Sequence, residues 1–185
     1  MDQTFILAQI CGVIGYGFYA LSPLMKDRWK LLAVEALGCA IVALHWIILE
    51  LPTVALMNAV YVYIGIISIQ IEKHPKAKYG LHLAFPILFI LTALGWQDMA
   101  LTAANITATI VGIGATAITV ASKYCLDLAK LRLLSAISAL LWVVCGIIAI
   151  SIPQIIACTL FMIGHIHELR KLKKAATTAQ RKKTS

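Results

Sequence analysis

A few polar and aromatic side chains stand out in a chain that is otherwise largely hydrocarbon. His45 and Trp46 lie just before Glu50-Leu51-Pro52, and Asn58 lies just after it. If the chain folds back at Leu51-Pro52, His45 and Asn58 are about equally far from the turn. They then share one depth on antiparallel neighbours, roughly 10 Å in by helical rise. Asn105 enters at a similar depth from a later segment. An indole wall with amide and imidazole groups beside it suits a small polar solute with an unsaturated or sugar-like face. A polar group left unpaired in hydrocarbon is costly, so these residues are expected to face protein or water.

Each residue also has a plainer reading. His45 could make a structural hydrogen bond to Asn58 or to a backbone carbonyl. Trp46 could belong to an interfacial aromatic belt. Glu35 could pair with Lys30 or reach water, or it could act as a proton-coupling carboxylate, because acids inside membranes mark relays. The polar residues recur at helical spacing: Gln9, Gly12, Tyr16 and Tyr19; Glu35, Gly38 and His45; Thr102, Asn105, Thr109, Gly112, Thr116 and Thr119; Ser135, Ser138 and Trp142. Such stripes face protein or water rather than lipid. Close helix packing through small residues is the competing explanation for the Gly and many of the Thr positions.

The elements that must position these residues follow from composition. Of 185 residues, 61% are hydrophobic and 13% charged, and the mean hydropathy is +0.90. A soluble domain is nearer to about 45–50% apolar and about 25% charged, so a water-soluble enzyme is excluded. Apolar stretches run over Phe5–Met25, Leu31–Leu49, Pro52–Ile71, Tyr79–Trp96, Met99–Ala121, Leu131–Ser151 and Pro153–Leu169. About 20 residues cross a bilayer core as a helix, and a lipid-exposed backbone must bond to itself. The expected fold is therefore all-α and integral to the membrane, with seven transmembrane helices. The first stretch is too long, and too poor in leading basic residues, for a cleavable signal peptide. Residues from Arg170 onward are expected to form a mostly disordered basic tail.

Of the 16 Lys and Arg, 15 fall in the first, third and fifth connections and the tail, and Arg132 lies just beyond the fifth. Basic residues stay cytoplasmic during insertion. The N-terminus is thus expected outside and the C-terminus in the cytoplasm of a bacterial inner membrane. The net charge of +8 serves insertion and attraction to anionic lipid. Scattered over separate loops without an aromatic platform, it does not suggest nucleic-acid binding.

The two ends of the chain resemble each other at an offset of about 100. Ile10-Cys11-Gly12-Val13 aligns with Ile110-Val111-Gly112-Ile113, and Lys30-Leu31 with Lys130-Leu131. With one residue slipped, Leu49 to Thr53 aligns with Ile150 to Gln154. Spans 1–3 then pair with spans 5–7, and span 4 is a spacer that leaves both halves in one orientation, a known transporter plan. The expected units are 1–75, a linker span 76–98, a second triple-helix bundle 99–169, and the tail 170–185.

This 3+1+3 arrangement resembles the SWEET and PQ-loop superfamily of small membrane transporters. Within it, His45 to Ala59, with Ala8-Gln9 and Gly12-Val13-Ile14, looks most like the YgjV-type bacterial inner-membrane proteins. In sugar-transporting relatives, a Trp on the second helix and an Asn on the third line the pocket. Trp46 and Asn58 resemble those positions, Trp142 is the second-half Trp, and Thr159 stands as the repeat partner of Asn58. The superfamily's Pro-Gln pair usually sits in the first helix of a repeat; here Pro153-Gln154 opens the seventh span.

Other chemistry finds no pattern. The five Cys show no Cys-x-x-Cys spacing, and His165-Ile166-His167 splays its rings on a helix, so no metal site or cofactor is expected. No phosphate loop or nucleophile–base motif is present, so the chain is not expected to be an enzyme. The leading expectation is a transporter or facilitator for a small polar solute, working by alternating access. Its candidate contacts are Asn58, Trp46, His45, Asn105, Trp142, Gln9 and Thr159. The alternative is a non-transporting membrane module of the same fold, such as a receptor, assembly factor or partner subunit. The bilayer is the expected partner, and a homo-oligomer stays open.

Overall fold

The computed structural model describes residues 3–48, 52–97, 103–148 and 152–184. Among them are seven α-helices and no strand: α1 (Gln3–Leu21), α2 (Arg28–Ile48), α3 (Pro52–Gln70), α4 (Lys78–Gln97), α5 (Ala103–Tyr124), α6 (Leu128–Ile148) and α7 (Ile152–Thr184). Short 3₁₀ turns at Ser22–Leu24 and Pro75–Ala77 precede α2 and α4. Proline sits where its missing N–H does no harm, opening α3 and second in α7. Pro86 lies inside α4, a position better tolerated in membrane helices than in soluble ones. Asp127 caps α6, its Oδ1 accepting from the Ala129 and Lys130 amides.

Three described helices are long and apolar enough to cross a membrane: Ile6–Leu24, Arg28–Ile48 and Leu128–Ile148. Two further apolar helices, Ala55–Gln70 and Ile110–Tyr124, are shorter. Every one of the seven helices leaves large apolar side chains exposed, among them Val13, Leu44, Leu56, Phe89, Ile110, Leu140 and Ile156. Water would penalise that surface and lipid tails do not.

The tail departs from expectation. Residues 170–184 continue α7 as helix rather than leaving it as disordered chain. Lys, Arg, Ala and Gln are good helix formers, and elongating an anchored helix avoids the costly nucleation step. Thr177 and Thr178 bond back to the carbonyls of Lys173 and Lys174.

α1 packs on α2 and α2 on α3; α5 packs on α6 and α6 on α7. α1 meets α7, α3 meets α5, and α4 lies against α3 and α5. Backbone meets backbone closely between α1 and α2. A Cβ on Gly38 would stand 3.0 Å from both the Gly15 carbonyl and the Tyr19 amide nitrogen. One apolar cluster, including Ile64, Leu81, Leu88 and Val120, joins α3, α4 and α5. Another, Leu31, Leu32 and Leu131, joins the starts of α2 and α6.

Several contacts recur 100 residues apart. The Met25 amide bonds Ser22 O and the Cys125 amide bonds Ser122 O, both at 3.0 Å. Leu31 N bonds Asp27 O and Leu131 N bonds Asp127 O, also both at 3.0 Å. The Ser22 hydroxyl donates to Tyr19 O and the Ser122 hydroxyl to Thr119 O.

Candidate functional site

A cavity of ≈ 420 Å³ lies inside the bundle, within the size range of small-molecule sites. Its wall draws on both triples of helices: Trp46 and Asn58 from α2 and α3, Trp142 and Gln154 from α6 and α7. Tyr16 and Tyr19 of α1, Tyr61 of α3 and Phe161 of α7 add aromatic surface. Two cross-contacts tie this wall together. The Tyr61 hydroxyl lies 2.7 Å from the Thr116 hydroxyl of α5. Tyr19 stacks on Phe161 at 4.1 Å and 10°.

Glu35 and Lys123 also line the cavity. Both are buried, at 5% exposure each, and they form an ion pair from α2 to α5. Glu35 lies 11 residues before Trp46 on α2, about 16 Å along the axis. The ion pair therefore marks the end near the basic connections, and the tryptophans mark the other. Glu35 binds Lys123 through Oε2, and its Oε1 has no hydrogen-bond partner. His165 Nε2 lies 4.0 Å from that oxygen, beyond hydrogen-bond reach. Both His165 ring nitrogens are unpaired and fully buried. Lys30, a sequence-level partner for Glu35, is engaged instead by Asp27 at 2.6 Å.

Two buried arginines lie beyond this pair, toward the basic connections. Arg28 of α2 donates to the carbonyls of Ser68, Lys123 and Cys125 and to the Glu72 carboxylate. Arg132 of α6 donates to the carbonyls of Pro23 and Met25 at 2.5 and 2.6 Å. Each arginine thus reaches from the start of its own helix to the connection ahead of the other one. Arg28, Lys123 and Arg132 were counted as loop cations in the sequence, yet all three turn inward.

The other candidates are distributed as follows. His45 is buried and outside the cavity lining; its Nδ1 lies 2.7 Å from Ala8 O, and its ring meets Trp46 edge-on at 4.7 Å. The imidazole therefore fixes α1 to α2 and braces the indole. Gln9 is exposed on α1: Ala8 packs inward at 0% exposure, and the next residue is turned about 100° away. Thr159 is off the lining, whereas Cys158 is on it. Cys158 is the residue 100 positions after Asn58, one before the partner that the slipped alignment gives. The Asn105 side chain lies outside the described residues.

Sequence reasoning missed Lys123, Gln154 and Tyr61 as lining residues. The polar stripes did carry Tyr16, Tyr19, Thr119, Ser135 and Ser138, all of which line the cavity. Gln154 is held by its Nε2, which donates to Trp142 O at 3.1 Å. The Ser138 hydroxyl donates to Ala115 O at 2.8 Å and lies 2.5 Å from the Thr119 hydroxyl, so these polar groups hold α5 to α6. Among the described residues, no group of three or more His, Cys, Asp or Glu side chains could hold a metal ion.

A family model described as a bacterial inner membrane protein, Imp-YgjV, matches residues 6–176. No curated protein and no solved structure matches the chain.

Proposed function

The chain belongs to this bacterial inner membrane protein family, and from that premise we propose that it carries a small polar solute across the bilayer by alternating access. The observation that carries the reading is the cavity of ≈ 420 Å³ walled jointly by α1–α3 and α5–α7. Polar stripes that only served packing would meet face to face and leave no such space.

In this reading α1–α3 and α5–α7 are like-oriented units, and α4 is the single crossing between them. The contacts that recur 100 residues apart support it, as do the matched junctions of α1 with α7 and α3 with α5. The SWEET-like 3+1+3 plan and the assignment of 1–75, 76–98, 99–169 and 170–185 belong to this proposal. So does the orientation with the N-terminus outside, which rests on the side-by-side partition of Lys and Arg.

Solute binds between Trp46 of one unit and Trp142 of the other, with Asn58 and Gln154 supplying amide groups. The units then rock as rigid bodies about the occupied site. The Arg28 and Arg132 bonds hold the basic-loop end shut, and they must release for solute to leave there.

The test is uptake of radiolabelled sugars, nucleosides, vitamins and amino acids into vesicles containing the purified protein. Saturable uptake of one of these, weakened by Asn58→Ala or Trp142→Ala, is the expected result. No uptake across the whole panel would overturn the transporter reading and leave the non-transporting module.

A further inference from the structure

The Glu35–Lys123 pair has a consequence for what can occupy the cavity. We infer that the pair is a receptor for the charged head of a small zwitterion, an ammonium and a carboxylate on one short carbon frame, whose apolar remainder lies among the aromatic side chains. This rests on the transporter reading and narrows its solute class.

The argument starts from the pair's position. It joins α2 to α5, so it spans the two units that must separate. Both side chains are buried and line the cavity. Pulling such a pair apart leaves two uncompensated charges in a low-dielectric interior, which is strongly unfavourable. A neutral solute does nothing to relieve this. A cation satisfies Glu35 and strands Lys123; an anion does the reverse. A zwitterion satisfies both at once, its ammonium on the carboxylate and its carboxylate on the Lys123 ammonium, with no change in net charge.

The ion pair leaves one acceptor unused for the first of these contacts. Glu35 Oε1 is buried without a hydrogen-bond partner, on a side chain that lines the cavity. The nearest basic nitrogen apart from Lys123, His165 Nε2, is 4.0 Å away. Once the units part and uncover that oxygen, an incoming ammonium does not have to displace a bond at it. Trp46 and Trp142 enclose the same cavity farther along, which suits an apolar or aromatic remainder. When the cavity is empty, the pair neutralises itself, so these two side chains place no net charge at the cavity wall.

The full-length protein in detergent is titrated with L-phenylalanine and L-leucine, and with three single-feature analogues: 2-phenylethylamine, 3-phenylpropionate and 2-phenylethanol. Thermal shift and calorimetry give the affinities. At least one amino acid is expected to bind about tenfold or more tighter than every analogue, since each analogue forfeits a charge-assisted contact. Glu35→Met with Lys123→Met removes both charges together and is expected to fold but lose that preference. The swapped pair, Glu35→Lys with Lys123→Glu, keeps a folded ion pair if the apolar version does not fold. It is expected to retain preference for the zwitterion. Equal binding of the neutral analogue and the amino acids overturns the inference. So does preference for a sugar or nucleoside in the uptake panel that survives loss of both charges; that result leaves the transporter reading standing. Failure of every solute, charged or neutral, overturns both.

Discussion

Replacing Arg132 with Met should open the end of the bundle that carries the basic connections. Arg132 is 1% exposed, and its two Nη groups donate to Pro23 O and Met25 O, carbonyls of the turn ahead of α2. Hydrogen bonds from a charged group are worth about 1.5–3 kcal/mol each, so two give a gross value of about 3–6 kcal/mol. The substitution also removes a buried charge whose Nε has no partner, and that offsets roughly half of the loss. The net is about 2 kcal/mol, or about 30-fold in the population open at this end. Cys39 lines the cavity and reports on access to it. In a variant whose other four cysteines are Ala, a membrane-impermeant thiol reagent is added from the face bearing the basic connections. Labelling of Cys39 should speed up by one to two orders of magnitude on Arg132→Met, the span around that 30-fold estimate. An unchanged rate, or labelling already fast with Arg132 present, would refute the idea that this arginine keeps the end closed.

Three further outcomes follow from named contacts. Gly38→Leu forces a side chain against the Gly15 carbonyl and the Tyr19 amide; it should lower stability by about 1–3 kcal/mol, measured as a fall in melting temperature in detergent. Gly17→Ala, where a Cβ meets nothing within 4 Å, is the matched control and should be neutral or stabilising by up to about 1 kcal/mol. His45→Leu removes the bond to Ala8 O and should lower stability by about 1–3 kcal/mol while changing solute affinity far less than Asn58→Ala does. Amide hydrogen exchange should show protection continuing past Arg170, because α7 runs to Thr184; full exchange of residues 172–178 at the earliest time point would contradict the helix.

The linear order of helices was legible because hydrocarbon surroundings impose it locally. A backbone among lipid chains must satisfy its own hydrogen bonds, so an apolar run such as Tyr79–Trp96 could hardly be anything but α4, Lys78–Gln97. The basic connections, the start of α3 at Pro52 and the lining residues Tyr16, Tyr19, Thr119, Ser135 and Ser138 were legible for similar reasons of spacing. Beyond the membrane that constraint lapses, and composition alone does not distinguish the helix through 170–184 from disordered chain.

What the sequence could not determine is which way each helix turns and whom it meets. In water, an apolar stripe tells a helix its inner face; in lipid, both faces are apolar and that signal fades. Gln9 shares a stripe with Tyr16 yet stands exposed, because the packing of Ala8 against the bundle sets the rotation of that turn. Glu35 passes over Lys30, five residues away, for Lys123, 88 residues away. Spacing along a chain fixes distance only within one helix. The pairing that places a carboxylate and an ammonium side by side in the cavity exists only once α2 and α5 have packed.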